Sequence, residues 1–256
     1  MTTPHLYLYA LPGIPDVPAG ADVAELLHTA LQRAELTLQA GDVLVVTHKI
    51  VSKAEGQRVK LDTIRPSAHA QALAEATGKD PRLVEVILSE SRGVIRQRGG
   101  VLIMETHHGW ICANAGVDRS NVVGGAADTI LLLPRDPDAS ARNIRAGLQT
   151  RTGVTDFAVI ISDTHGRPWR EGTVNVALGV AGMLPLADLR GQQDLFGYTL
   201  QVTVVGRADE LAAAAGLIIG QAAEGLPVAL IRGASYPRGE GRASDMQRPP
   251  EKDLFR

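Results

Sequence analysis

The chain has 256 residues, of which 45% are hydrophobic and 21% are charged, a composition typical of globular proteins. Its formal net charge is −2 and it has no long basic run, so nucleic acid is not an expected partner. We expect no membrane partner either, because no apolar run reaches membrane-spanning length and the N-terminus lacks a signal-peptide pattern. The single cysteine, Cys112, excludes an internal disulfide and favours a cytoplasmic location.

The first predicted elements are a strand at residues 5–11, a helix at 22–38 and a buried strand at 43–46. The helix is predicted from apolar residues that recur at the spacing of one helical face. Residues 47–56 are predicted to be a further strand that ends in polar groups. Its Lys49 and Lys53, flanked by hydroxyl side chains, suit the binding of phosphate oxygens. A solvated strand edge with protective lysines is the alternative.

The middle of the chain, residues 61–98, is polar and predicted to be rich in helix, with helices at 68–77 and 81–90. Residues 101–105 and 110–113 are predicted to form a hairpin around His107 and His108. Adjacent histidines on a turn point in different directions, so a solvated turn is favoured over a metal site.

A glycine-containing loop after this hairpin carries oxygen-bearing side chains at Asp118, Ser120 and Asn121. Such a loop suits Mg²⁺ or Mn²⁺, which take one or two carboxylates together with phosphates and water. A turn stabilised by the Asp118 side chain is the alternative.

A second candidate site follows the apolar run 157–161, which predicts a strand buried on both faces. The run ends at Asp163 and Thr164, where a carboxylate and a hydroxyl suit a divalent cation at the carboxyl end of a strand. We expect a polar loop from there on, because glycine and proline follow. Arg167 and Arg170 in this loop are predicted clamps for a carboxylate or phosphate. A capped surface turn is the alternative.

The remaining pattern predicts strands and helices without strict alternation. The predicted segments are a strand at 129–133, a helix from Asp136 to about Arg151, a buried helix at 174–181, strands at 184–189 and 198–205, a helix at 209–223, a strand at 227–231 and a flexible tail at 234–256. Residues 1–233 are therefore expected to form one domain of the α+β or mixed α/β class, with mixed sheets and flanking helices.

The residues alone indicate metal-dependent phosphate chemistry. Asp118 and Asp163 each follow an apolar strand and could share one metal site. Neither the phosphate-binding loop of many nucleotide-hydrolysing proteins nor a convincing dinucleotide fingerprint occurs.

Five motifs in order resemble those of the F420-0:γ-glutamyl ligase family (coenzyme F420-0:L-glutamate ligase). They are Leu11-Pro-Gly-Ile14, Val46-Thr-His-Lys-Ile-Val-Ser-Lys-Ala-Glu-Gly56, Ala115-Gly-Val-Asp-Arg-Ser-Asn121, Leu132-Leu-Pro-Arg-Asp-Pro-Asp-Ala-Ser140 and Ile161-Ser-Asp-Thr-His-Gly-Arg-Pro-Trp-Arg-Glu-Gly172. The resemblance covers about residues 5–233.

The resemblance implies the fold of these ligases, an intertwined homodimer and a specific reaction. GTP would phosphorylate a carboxylate of F420-0, and the amine of L-glutamate would displace the phosphate to form an amide, with γ-linked additions in some members. Two divalent cations per site, Mn²⁺ or Mg²⁺, would bridge the phosphates, and K⁺ takes part in some members. Phosphoryl transfer is mostly positioning and charge neutralisation, which agrees with the candidate residues.

By motif, the resemblance implies that Asp118 and Asp163 are ligands of the first metal, Thr164 of the second, and Gln221 of nucleotide and second metal. The implied nucleotide contacts are Leu11, Pro12, Gly13, Ile14, His48, Lys49, Lys53, Asn121, Gly216, Gly220 and Gln221. The predicted catalytic residues are Lys53 together with Arg167 and Arg170.

One position departs from the family pattern. His48 stands where the family motif has serine, and an imidazole is larger than a hydroxyl and titratable. Two alternatives therefore stand beside the ligase: a related amide ligase with another acid or amine, and a non-catalytic homologue that binds nucleotide or metal.

Overall fold

The structure is a computed structural model, and it describes residues 3–120 and 128–254. The strands are β1 (Tyr7–Ala10), β2 (Val43–Thr47), β3 (Arg58–Lys60), β4 (Ser91–Arg98), β5 (Val101–Thr106), β6 (Ile111–Ala113), β7 (Thr129–Leu131), β8 (Ala158–Arg167), β9 (Arg170–Ala181), β10 (Leu186–Asp188), β11 (Val204–Gly206) and β12 (Val228–Arg232). The α-helices are α1 (Val23–Arg33), α2 (His48–Ala54), α3 (Ala68–Thr77), α4 (Pro81–Ser89), α5 (Pro137–Thr152) and α6 (Arg207–Ile219).

A five-stranded sheet of order β1-β12-β2-β8-β9 forms the centre. Only β2 and β8 pair in parallel; the other neighbours are antiparallel. Side chains alternate across a strand, so that Leu44 and Val46 pack towards α1 and α5 while Val43 and Val45 pack towards α6. The sheet is therefore covered on both faces, which explains why its inner strands read as continuous apolar runs.

A smaller three-stranded antiparallel sheet, β4-β5-β6, packs with α3 and α4 around a second core. Two-stranded sheets, β3-β7 and β10-β11, complete the arrangement. This mixture confirms the predicted α+β or mixed α/β class. None of the helices described is both long and apolar enough to cross a membrane.

The strand predicted at 47–56 is wrong, because these residues form helix α2. The β-branched residues of this segment favour a strand locally, but Ile50 and Val51 are buried in the same core cluster as the apolar face of α1. Tertiary packing overrides the local preference. Helix α1 begins at its predicted cap, Asp22, whose side chain accepts a hydrogen bond from the Glu25 amide, but it ends at Arg33, before the predicted residue 38.

The polar loop and the helix predicted after residue 161 are also wrong. Strand β8 continues to Arg167, and β9 returns antiparallel to it, with Pro168 and Trp169 between them. Residues 174–181 lie in β9 between α5 and α6. A short apolar run buried on both sides has no periodicity that separates strand from helix. Gly179 is required here because a Cβ atom would lie 2.3 Å from the Pro137 carbonyl carbon.

Two further differences lie in the second core and at the C-terminus. Strand β4 occupies part of the region predicted to be rich in helix. Part of the segment 234–256, predicted to be a flexible tail, packs against the domain: Tyr236 and Ala243 are buried, and 3-10 helices occur at Ala243–Met246 and Pro250–Lys252.

Candidate functional site

The carboxyl ends of the parallel strands β2 and β8 bring two predicted site residues together. Thr47 pairs with Ser162 in register, so the next residues, His48 and Asp163, meet at the same edge of the sheet. Nε2 of His48 lies 3.3 Å from Oδ1 of Asp163. Ligands of α/β sheets bind at this kind of edge.

Asp163 lies between two histidines. Its Oδ2 is 3.3 Å from Nε2 of His165, and His48 on the other side is only 1% exposed. Burial raises the pKa of the Asp163 carboxyl, but charge interactions and hydrogen bonding with His48 and His165 lower it by more, leaving a pKa well below the usual range. The carboxylate is therefore ionised whenever the protein is near neutral pH.

The second predicted carboxylate, Asp118, is held by Lys49 and Ser120. Nζ of Lys49 lies 2.7 Å from Oδ2 of Asp118, and the Ser120 amide donates a 2.7 Å hydrogen bond to Oδ1. Burial raises the pKa of Asp118, while these two partners lower it below the ordinary value. A lysine predicted to contact phosphate thus neutralises a predicted metal ligand.

Three side-chain oxygens converge beside Asp163. The Thr164 hydroxyl lies 2.9 Å from Oε1 of Gln221 and 3.1 Å from Oδ1 of Asn175. Nε2 of Gln221 also donates a 2.8 Å hydrogen bond to Oδ1 of Asn175. Gln221, which follows the end of α6 and is exposed, is thus held by hydrogen bonds to two side chains of the site.

These groups line three cavities, of which the second shares residues with both the first and the third. Asp118, Asp163 and Thr164 line the first, of about 140 Å³. Thr164 and Gln221 line the second, of about 90 Å³. Gln221 and Lys53 line the third, a groove of about 390 Å³. The predicted metal ligands and several predicted nucleotide contacts thus line a series of three neighbouring cavities.

The groove contains a charged cluster centred on Asp16. Nζ of Lys53 lies 2.7 Å from Oδ1 of Asp16, and Nη2 of Arg58 lies 3.1 Å from its Oδ2. Ile14 and Gly220 also line the groove. The positively charged side chains of this cluster suit the binding of a phosphate chain.

Some predicted contacts lie elsewhere in the described structure. The Leu11 side chain is fully buried in the core, and neither Pro12 nor Gly13 lines the groove. The Gly13 carbonyl instead accepts a hydrogen bond from Arg33. Gly216 lies outside the lining of the three cavities and packs against Asn175, where a Cβ atom would lie 3.1 Å from the amide carbon.

Arg167 and Arg170 pair with each other at the tip of the β8–β9 hairpin and line none of the three cavities. Arg167 lies four positions after Asp163 on β8, which at about 3.3 Å per residue is roughly 13 Å. The polar loop predicted to carry them is a β-hairpin instead. Asn121 lies outside the described residues.

The donor set fits a hard divalent cation that completes its shell with phosphate and water. Asp118 and Asp163 supply carboxylates, and Thr164 and Gln221 supply neutral oxygens, the ligand type that Mg²⁺ and Mn²⁺ prefer. Within residues 3–120 and 128–254, no three His, Cys, Asp or Glu side chains converge as a metal-binding group. A bound cation would therefore depend on phosphate oxygens.

Sequence reasoning missed two residues of the site. Asn175 is 4% exposed and contacts both Thr164 and Gln221, but it lies in the segment predicted as a helix. The feature of the sequence that could have indicated Asn175 is its position as a lone amide in the apolar run Val174-Asn-Val-Ala177. His165, which had no predicted role, lies against Asp163, and only the pleat of β8 places it there.

The chain is similar to known proteins over almost its entire length. The sequence profile of the F420-0:γ-glutamyl ligase family matches residues 13–233. The chain is 51% identical to the coenzyme F420:L-glutamate ligase of Methanothermobacter thermautotrophicus, over 97% of this chain and 98% of that protein. The identity is 46% to the ligase of the same name from Methanopyrus kandleri, over 99% of this chain and 98% of that protein. The identity to the coenzyme F420:L-glutamate ligase of Haloarcula marismortui is 42%, over 97% of this chain and 95% of that protein.

Proposed function

Because the chain belongs to the F420-0:γ-glutamyl ligase family, we propose that it is an enzyme that joins L-glutamate to coenzyme F420-0 at the expense of GTP. The proposed reaction transfers the γ-phosphoryl group of GTP to a carboxylate of F420-0 and releases GDP. The amine nitrogen of L-glutamate then bonds to the acyl carbon, and the bond from that carbon to the phosphate oxygen breaks. Phosphate leaves with the bonding electrons, and the ammonium group loses two protons to water as the amide forms.

The observation that carries this proposal is the convergence of Asp118, Asp163 and Thr164 on one cavity, next to a second cavity that shares Lys49 and Gln221 with the groove containing Lys53. Phosphoryl transfer needs anionic oxygens to be held and their charge neutralised. The groove is large enough for part of a nucleotide, since ligand pockets span roughly 300–1,000 Å³.

The lysines have distinct proposed tasks. Lys49 lies between the groove and Asp118, so its ammonium group can exchange the Asp118 carboxylate for a phosphate oxygen when GTP binds. Lys53 is fixed by Asp16 and offers its remaining N–H groups to the groove. The Gly220 backbone, in a left-handed conformation at the end of α6, lets the chain pass close to the ligand.

Two divalent cations, Mn²⁺ or Mg²⁺, are part of the proposal, and K⁺ remains a prediction from the resemblance. Asp118 and Asp163 would hold the first cation, and Thr164 with Gln221 the second. When bound, such cations neutralise the charge of the transferring phosphoryl group. The two histidines keep Asp163 ionised and oriented for this role.

The proposed assembly is a homodimer. The loop between β10 and β11 exposes Leu195 and Phe196 almost completely, and Val202 in the same loop is 85% exposed. Contiguous exposed apolar side chains are typical of protein interfaces, which supports a second copy as the partner.

The proposal is tested by incubating the enzyme with GTP, Mn²⁺, L-glutamate and F420-0 and measuring GDP and the glutamylated product. Both should appear in equal amounts and only when all substrates are present. GDP release that does not require F420-0 and L-glutamate would contradict the proposal. Replacing F420-0 or L-glutamate by a panel of other acids and amines separates it from a related amide ligase.

A further inference from the structure

A separate cavity of about 370 Å³ adjoins the site on the far side of His165. His165 lines both this cavity and the one that contains Asp118 and Asp163. The walls come from the β4-β5-β6 sheet, the β8–β9 hairpin, the first turn of α6 and the C-terminal segment. We call it the C-terminal cavity; its polar residues include Arg92, Trp110, Asp209 and Arg248.

Specific contacts build the C-terminal wall. Nε2 of Gln247 donates a 2.8 Å hydrogen bond to the carbonyl of His108, and the Ala243 amide donates a 3.0 Å bond to Oδ1 of Asp138. Gly109 has a φ of +89° and approaches Gln247 so closely that a Cβ atom would lie 2.5 Å from its Oε1. The segment therefore forms one wall of the cavity, although it lies beyond the residues 13–233 matched by the family profile.

The polar groups of the cavity include an unused donor and charges of both signs. Nε1 of Trp110 is buried and has no hydrogen-bond partner among the residues described, a state that calls for a ligand or another explanation. Asp209 accepts a 2.9 Å hydrogen bond from the Ala177 amide through Oδ1, and burial raises the pKa of its carboxyl. The guanidinium of Arg248 is on the exposed rim.

This mixture suits a small zwitterion with an extra carboxylate. A carboxylate can accept from the indole N–H of Trp110 and pair with Arg248, and an ammonium group can pair with Asp209. Asp209 and His165 both line this cavity, so an ammonium group at Asp209 would lie on the side of His165, the residue shared with the cavity that contains Asp163.

We propose that the C-terminal cavity binds the acceptor amino acid, L-glutamate, with its amine towards His165 and its carboxylates towards Trp110 and Arg248. This inference rests on the proposed ligase function. The bound nitrogen then bonds to the acyl carbon on the Asp163 side, phosphate leaves with the electrons of the broken carbon–oxygen bond, and the two protons lost by the ammonium group pass to water.

Fluorescence gives a direct test, because the chain has two tryptophans and the other, Trp169, is at the exposed hairpin tip. In the Trp169→Phe variant, Trp110 is the sole indole. With GDP and Mg²⁺ present, titration with L-glutamate should change the emission in a saturable way. Adding Arg248→Gln should weaken this binding by about tenfold, the low end expected for a lost charged contact. Adding Arg242→Gln, on the same segment but outside the cavity, should not.

Steady-state kinetics of the full-length enzyme give the second readout. Arg248→Gln and Trp110→Phe should raise KM for L-glutamate while KM for GTP stays within about twofold, and Arg248→Lys should recover part of the loss. A melting curve for each variant identifies any that fails to fold. If Arg248→Gln does not fold, the milder substitution Trp110→Phe still provides the kinetic test.

The outcomes separate this inference from the proposed function. If L-glutamate causes no saturable change in Trp110 emission, the cavity assignment is overturned while the ligase stands. The same follows if the KM for L-glutamate in both Arg248→Gln and Trp110→Phe equals that in Arg242→Gln. A saturable response that Arg248→Gln weakens, in an enzyme that forms no amide, supports an amino-acid site and removes the proposed function.

Discussion

Nζ of Lys49, on helix α2, lies 2.7 Å from Oδ2 of Asp118, so a predicted phosphate ligand and a predicted metal ligand neutralise each other. Under the proposed function, these two groups would separate when a metal–nucleotide complex binds. An unpaired carboxylate or ammonium group, partly buried, would be less favourable.

Replacing Lys49 by methionine should raise the pKa of Asp118 in the metal-free protein. Burial, which raises this pKa, would then be opposed chiefly by the Ser120 hydrogen bonds. A carbon-13 NMR titration of the aspartate carboxyls measures the change. Lys60→Met, at an exposed position on β3, is the control and should leave Asp118 unchanged; an unaltered pKa in Lys49→Met would show that the ion pair does not form.

Asp163→Asn should reduce turnover by at least about 100-fold, the effect of removing one group that stabilises charge in a transition state. It should also change how stability depends on pH. The folded pKa of Asp163 lies below its unfolded value, so the carboxylate stabilises the fold above about pH 4, and this contribution is lost as pH falls through the folded pKa.

Urea unfolding of the wild type and Asp163→Asn at pH 6, pH 4 and pH 3 measures this dependence. The stability difference between them should be largest at pH 6 and should shrink towards pH 3. Asp62→Asn, at an exposed position, serves as the control for turnover and stability. A difference that grows on acidification would mean that Asp163 is not held as an ion by His48 and His165.

Helix α5 and strand β9 show what sequence can and cannot predict at this site. Asp136 and Pro137 predict the start of α5 correctly, because a side-chain cap and a proline in the first turn act locally: the Asp136 carboxylate accepts from the Ala139 amide. For residues 174–181 of strand β9 the small, apolar sequence predicts a helix, because this part of the strand is largely buried on both faces, and only the packing of α5 and α6 decides between the two.

The same distinction applies to the site. Asp163 and Thr164 are candidates that a local pattern indicates, because they come directly after the apolar run that ends near Ser162. The Lys49–Asp118 pair and the Asn175–Gln221 bond join residues distant in sequence, and no local pattern encodes them. Arg167 and Arg170 were predicted for the site on chemistry alone, and the length of the hairpin keeps them from its cavities.

Cys112 should resist alkylation in the folded protein. The thiol is 8% exposed, and burial, with a smaller effect from Asp163, raises its pKa to about 12. Very little thiolate, the reactive form, exists at pH 8. Iodoacetamide labelling followed by mass spectrometry should be slow in buffer and rapid in denaturant; equal rates in the two conditions would show that the thiol is accessible in the folded state.

Phe196→Asp should weaken the proposed homodimer. Phe196 is 95% exposed, and a charge placed in an apolar interface loses its hydration without gaining a partner. Light scattering after size-exclusion chromatography should give the mass of two chains for the wild type and of one for the variant. Gln192→Asp introduces the same charge at an exposed position nearby and should remain dimeric. A variant with the wild-type mass would exclude Phe196 from the interface.

The most direct test of the central claim follows the oxygen atoms of the activated carboxylate. F420-0 labelled with oxygen-18 in both oxygens of its reacting carboxylate is incubated with the enzyme, GTP, Mn²⁺ and L-glutamate, and the products are analysed by mass spectrometry. Activation by phosphoryl transfer predicts one labelled oxygen in the released phosphate and one in the amide for each turnover. Unlabelled phosphate, formed together with GDP and amide, would contradict the account.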